Sequence, residues 1–238
     1  MDVVHVKWGN CPMGDHNRAK GKEGYPSLAF QCITDYNLRV LSVYGPQFGT
    51  RNNKDIVKYD TYVQEIWTKR LFKDSCWRYY AADGRVQHER GVYLICDNGY
   101  LPWPMSICLF AQASKASLEG YFSSNIESVR KDVECTFGIL KKRWRVLSNG
   151  FTYHDIKICE KVFITCCVLH NFLLDLMERT NVRVGRGYPI GDDGLWLDGH
   201  TNNVDSCSRL LSIQFGLRRD KLAKHLKFFK EKGRVIPE

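Results

Sequence analysis

Apolar and polar positions alternate along Asp2-Val-Val-His-Val-Lys-Trp8, so Asp2, Val4, Val6 and Trp8 share one face of a predicted strand while Val3, His5 and Lys7 share the other. Only Met1 precedes this strand, where a core strand normally has a lead-in segment, and we expect an N-terminally shortened protein. Gly9 to Ser27, rich in Gly, Pro, Asn and charge, reads as a long loop. The β-branched and aromatic runs Leu28 to Thr34 and Arg39 to Tyr44 flank Asp35-Tyr-Asn-Leu38 and predict an antiparallel hairpin. Asn52 or Asn53 can cap a following helix with Ile56, Tyr59, Val63, Ile66 and Trp67 on one face. The order up to this point is β-β-β-α.

Lys73 to Arg90, with Ala82-Asp-Gly84, reads as a small hairpin insertion, and Val92-Tyr-Leu-Ile-Cys96 as a strand buried on both faces that runs out at Asp97-Asn-Gly99. Tyr100 to Ser124 reads as short helix plus loop. From Ile126 a long helix is expected, because Ile126, Val129, Val133, Phe137, Leu140, Trp144 and Leu147 recur at spacings of three and four. A second apolar helix follows over Asp155 to Met177. Arg179 to Ser208, filled with Gly, Asp and Asn, reads as a connector. Arg218 to Glu238 carries eight Lys or Arg against three acids, with Leu222, Leu226 and Phe229 as a short helical stripe. The expected division is a domain over 1–179, a linker over 180–208 and a basic helical segment over 209–238.

Composition narrows the class. With 238 residues, 44% hydrophobic and 26% charged, the chain matches a globular protein and excludes disordered, collagen and coiled-coil readings. Its apolar runs fall far short of the ~20 residues that cross a bilayer, so a soluble protein is expected. Ten cysteines at this density suggest reduced thiols in cytosol or nucleus. A formal charge of +9 biases the chain toward polyanions, while 13% aromatic content implies a packed core beneath that basic surface.

Three acids stand out by context: Asp2 on the first strand, Asp97 at the end of the buried run, and Glu134 on the long helix. An acid that follows Val-Tyr-Leu-Ile-Cys is costly near a core unless it is neutralised, and a divalent cation does so directly. Oxygen donors favour Mg²⁺ or Mn²⁺ over zinc. Asp97 reads equally as the cap of a turn with Asn98-Gly99. Glu134 lies at the border between the apolar stripe and Arg130, Lys141 and Arg145; by periodicity alone it reads as a solvated helix charge. Gly138, one turn on, leaves room for a close approach by backbone or ligand.

Asp2-Val-Val-His-Val, Gly21-Lys-Glu-Gly-Tyr-Pro26, Gly49-Thr-Arg-Asn-Asn-Lys54, Tyr93-Leu-Ile-Cys-Asp-Asn-Gly-Tyr100, Ser128-Val-Arg-Lys-Asp-Val-Glu-Cys-Thr-Phe-Gly-Ile-Leu-Lys141 and Cys166-Cys-Val-Leu-His-Asn171 stand in this order along the chain. Together, over about Asp2 to Met177, they resemble the PIF/Harbinger-type transposases of the plant and oomycete-like branch. The resemblance implies an α/β fold, a ribonuclease H-like mixed sheet flanked by helices, carrying an Asp-Asp-Glu triad of Asp2, Asp97 and Glu134. It implies two divalent ions, Mg²⁺ or Mn²⁺, acting on a DNA phosphodiester. Asp132, two residues from Glu134, points to a different side of the helix. Arg130, Lys141, Lys142, Arg143 and Arg145 would then contact phosphates.

Implied partners are DNA and a Myb-like accessory protein serving nuclear import and end binding, with a nuclear location and no membrane; oligomeric assembly stays open. The family's helix-turn-helix-like region ahead of the first acid is missing from this sequence, which suits a short gene model or a decayed or domesticated copy. Two classes therefore stand: a metal-dependent nuclease or transposase domain, and a relative that binds DNA or protein without cutting. Cys11 with His16 and Cys167 with His170 are isolated pairs without a Cys-x-x-Cys, which speaks against structural zinc. His170-Asn171 can line a site, but a histidine in an apolar helix is more often a satisfied core group. Gly9 to Gly24 has no phosphate-loop spacing, and ATP is not expected.

Overall fold

Three β-rich runs in the first fifty residues pair as one antiparallel sheet in the order β1 (Asp2–Lys7), β2 (Ser27–Thr34), β3 (Val40–Phe48). The computed structural model describes residues 1–68, 70–81, 83, 85–179 and 218–227. The register runs from Asp2 opposite Cys32 to Lys7 opposite Ser27, and the central strand β2 is buried at every position but its last. The hairpin joining β2 to β3 is tied by Asp35, whose carboxylate accepts the N–H groups of Asn37 and Arg39 at 2.8 and 3.0 Å, with Leu38 left-handed at φ 66°.

The chain divides into two compact units, one of Met1–Ile56 with Lys131–Gly199 and one of Val57–Arg130 with His200–Glu238. This division cuts across the expected 1–179 block. In the first unit, the later residues of α4 (Leu118–Arg143), with α5 (Arg145–Asn149) and α6 (Ile156–Arg179), supply the cover for the sheet. Val4 and Val6 of β1, and Trp8 just beyond it, are buried with Leu28, Phe30, Val133, Phe137, Leu140 and Phe163. Phe30 stacks on Phe163 with centroids 4.0 Å apart and meets the edge of Phe151 at 6.1 Å. Trp8 bridges Phe151 in parallel, so the segment after α5 joins the edge of β1. Cys166 and Cys167 fill this core as small apolar groups.

The second unit holds α3 (Thr61–Trp67), the hairpin β4 (Cys76–Tyr80) and β5 (Val86–Arg90), and the short parallel pair β6 (Leu94–Ile95) and β7 (Ser106–Ile107). A helix over 218–227, here α7, packs in this unit: Leu222 and Ala223 are buried with Ile107 and Phe122. Arg218 forks onto Glu89, and the Tyr80 N–H donates to His225 Nδ1 at 2.8 Å. The described part of the basic C-terminal segment is thus half core, and Phe229 and the connector over 180–208 lie outside the described residues. The architecture is mixed α/β. Among the described residues no helix is long and apolar enough to cross a membrane.

Four sequence expectations change. The helix predicted through Trp67 breaks into α2 (Asn53–Tyr59) and α3, because Asp60 turns extended and accepts the N–H groups of Tyr62 and Val63 as a new cap. The strand predicted over 92–96 shrinks to two residues, with Leu94 and Cys96 buried and Tyr93 and Ile95 only half-buried. An apolar run alone does not distinguish one buried face from two. The long helix starts at Leu118, eight residues before the apolar series, and ends at Arg143. Trp144 is extended at φ −116°, ψ 100°, and it still packs on the core.

The glycines of two sequence blocks meet. A Cβ on Gly21 would lie 1.9 Å from the carbonyl oxygen of Gly49, and one on Gly150, at φ 95°, would lie 2.8 Å from Lys7. We predict that Gly21→Ala and Gly150→Ala each lower stability by about 1 to 3 kcal/mol in urea unfolding. Gly14→Ala, where nothing lies within 4 Å, should stay within about 0.5 kcal/mol of wild type.

Candidate acidic site and basic surface

Asp2 opens β1 on the strand's core-facing side, half-buried, and its Oδ1 accepts the Val3 N–H at 2.8 Å. Glu134 is exposed on α4 next to Val133, which is buried in the same unit's core. Lys141 Nζ donates to the His5 carbonyl at 3.2 Å and ties α4 to the sheet, while Thr136 spends its one hydroxyl proton on the Asp132 carbonyl at 2.9 Å within the helix and lies 3.5 Å from the Leu38 carbonyl. Leu38 lies in the hairpin just past the end of β2 that pairs with Asp2. The first unit therefore carries Asp2 on its sheet and Glu134 on a helix packed in the same core.

Asp97 belongs to the second unit and sits two residues beyond β6. Its Oδ1 accepts the Gly99 N–H at 2.8 Å and its carbonyl the Tyr100 N–H at 3.4 Å. This is the turn-capping role the sequence allowed, realised through one of two carboxylate oxygens. As a donor set, three carboxylates suit a hard divalent cation. Among the described residues, no three His, Cys, Asp and Glu side chains are grouped where a metal ion could be held.

The five basic residues separate by what they touch. Arg130 is forked onto Glu127 at 2.8 and 2.9 Å, with its side chain 11% exposed. Lys141 is held on the His5 carbonyl, and Arg143 donates to His170 Nδ1 at 2.9 Å and to Met177 Sδ at 3.8 Å. Lys142 and Arg145 are exposed. Of the other three only Arg130 is neutralised by an acid; Lys141 and Arg143 keep their charge on neutral partners but are half-buried, which leaves Lys142 and Arg145 as the exposed cations of the five. Gly138 is exposed, with nothing within 4 Å of where a Cβ would stand.

His170 and Asn171 prove to be structural clamps. His170 is fully buried, and its Nε2 lies 2.9 Å from the Leu38 carbonyl. A carbonyl only accepts and a guanidinium only donates, so the ring is neutral, with the proton on Nε2 and Nδ1 accepting from Arg143. Asn171 pairs with Val40 as a strand would: its Oδ1 accepts the Val40 N–H at 2.9 Å and its Nδ2 donates to the Val40 carbonyl at 2.8 Å. Arg39 adds an ion pair to Asp175. The signal that could have revealed this was the adjacency of two polar residues in an otherwise apolar helix, which demands local partners.

A family model described as plant transposon protein matches residues 1–181. A curated relative, Protein ALP1-like of Arabidopsis thaliana, is 22% identical over 185 residues, covering 76% of this chain and 43% of its own length. The chain thus spans less than half the length of that relative. No solved structure matches.

Two predictions concern the clamps. Asn171→Leu leaves the N–H and carbonyl of buried Val40 unpaired and should cost about 2 to 5 kcal/mol in equilibrium unfolding. Burial, above all, lowers the His170 pKa, opposed by the Leu38 carbonyl and reinforced by Arg143 and Arg39. The unfolded chain therefore takes up a proton near pH 6.5 that the folded state refuses. The resulting stability is whole above about pH 6.5 and is lost as pH falls below it. His170→Gln, which offers a donor to Leu38 and an acceptor to Arg143 without titrating, should flatten the decline of urea midpoints between pH 7.5 and 5. His5 and His225, also lowered by burial, would keep part of the slope.

Proposed function

Since the chain belongs to the plant transposon protein family, we propose that it is the DNA-cutting part of a Harbinger-type transposase, built on a ribonuclease H-like sheet. The observation that carries this reading is an acid on the first strand of an antiparallel three-stranded sheet with a second acid on a helix packed in the same unit. A third acid follows a strand paired in parallel. Asp2, Asp97 and Glu134 are the catalytic carboxylates in this proposal, and they would hold the divalent ions. Bound Mg²⁺ or Mn²⁺ would supply activation of the attacking oxygen and stabilisation of the leaving one.

The remaining work falls to the protein's own groups. Lys142 and Arg145 hold phosphate oxygens and carry no sequence information. Arg143 serves indirectly, by tying α4 to α6 through His170, whereas Arg130 is closed onto Glu127 one turn back on the same helix. The bare surface at Gly138 lets the DNA backbone come close to the helix one turn beyond Glu134. The whole transposase's end recognition, a Myb-like partner and a nuclear site of action belong to the same proposal.

Asp97→Asn and Glu134→Gln should each abolish Mn²⁺-dependent nicking of supercoiled plasmid. Mn²⁺ at about 100 times its dissociation constant should raise the unfolding temperature of wild type alone, by roughly 5 to 10 °C. Nicking that survives both substitutions would sink the assignment. Plasmid binding without nicking by wild type would make this chain a non-catalytic binding module. Gly138→Ala separates fold from function: it should stabilise α4 by about 0.5 to 1 kcal/mol and yet weaken DNA binding.

A further inference from the structure

The second unit contains a cavity of about 260 Å³, between α3, the chain that follows it, the end of β5 and the segment around Met105. Trp67, Phe72, Val92 and Met105 give it an apolar wall. Every ionisable residue that lines it is basic: Lys73, Arg90 and Arg218. Arg218 is neutralised by its fork onto Glu89, whereas Lys73 and Arg90 are exposed and, among the described residues, carry no ion pair. The volume lies just below the roughly 300 to 1,000 Å³ of ordinary ligand pockets, which suits one flat ring system.

Phe72 adds an independent observation. It is 42% exposed, yet it is held at φ 58°, a left-handed conformation that a bulky side chain rarely adopts. Its ring lines the cavity and stands edge-on to Tyr62 with centroids 6.5 Å apart, and strained residues of this kind cluster at ligand clamps. Nearby, Trp67 is locked edge-on to Trp103 with centroids 5.0 Å apart, so its ring is also fixed in place. Aromatic faces beside uncommitted cations form the combination on which unpaired bases stack while their phosphates are held.

We propose that this cavity binds an unstacked base of single-stranded DNA, with Phe72 and Trp67 against the base and Lys73 and Arg90 on its phosphates. This rests on the reading that the chain binds DNA, but not on any catalytic role of the three acids. An extruded base would anchor one strand to the second unit and mark where that strand leaves the duplex.

The test is fluorescence anisotropy of full-length protein with fluorescein-labelled (dT)10 and with an abasic oligonucleotide of the same length. Wild type should bind the thymine strand about 5- to 100-fold more tightly than the abasic one. Phe72→Gly, which the local backbone accepts without strain, should erase that preference. Lys73→Gln with Arg90→Gln, both at exposed positions, should weaken both strands and reduce the salt slope by about 1.4. Equal affinity of wild type for the two strands overturns the proposal, as does an unchanged preference in Phe72→Gly. Failure to bind plasmid or either strand would sink the DNA reading itself. Asp97→Asn should keep the thymine preference, which separates this site from the acids.

Discussion

The carbonyl of Leu38 is the point on which the first unit depends. A left-handed residue at the tip of the β2–β3 hairpin turns this oxygen toward the helices, where His170 of α6 holds it at 2.9 Å. Arg143 then links the two helices through the other nitrogen of the same imidazole, and Asn171 pairs with the first residue of β3. Apolar packing is nondirectional and would let α4 slide over the sheet. The directional chain from the Leu38 carbonyl through His170 to Arg143, with Lys141 on the His5 carbonyl, fixes the helix along its axis.

The same clamps explain why a basic sequence does not make a uniformly basic surface. Arg130 and Arg143 are largely committed to internal partners, and Lys141 spends its ammonium on a strand carbonyl. What remains outward on this stretch is Lys131, Lys142 and Arg145. In the second unit, Arg218 and His225 help to pin α7 in place, and the cavity's uncommitted charge comes from Lys73 and Arg90.

Much of the first unit was legible because its elements are long and strictly periodic. The alternation at Asp2 to Trp8, the hairpin around Asp35 and the spacing from Val133 to Leu140 each point to a single arrangement. The second unit was harder to read because its elements are short and held by tertiary contacts. No local pattern announces that Val92 to Cys96 would find only a two-residue partner, or that Asp60 would interrupt a helical stripe. For the acids, the sequence identified position on elements: Asp2 on a strand, Asp97 at a turn, Glu134 on a helix. It could not foretell which cations the protein would consume, since those partners, Glu127 apart, lie 27 or more residues away. The Leu-His-Asn block was recognised as a motif, yet its physical work, clamping a hairpin, became visible only through Leu38 and Val40.

The first unit is assembled from two separated stretches of chain, with residues 57–130 falling between them. This has a consequence during synthesis. Phe30 emerges from the ribosome long before Phe163, the ring that stacks on it. At ~5–20 residues per second the interval is roughly 7 to 27 s. Until α4 and then α6 have emerged, the apolar face of β2 is incompletely covered, and the nascent chain offers it to any partner that binds exposed strands. Newly made protein should therefore be a client of holding chaperones until α6 has been translated, so the cell's chaperone capacity helps to set how much of it matures.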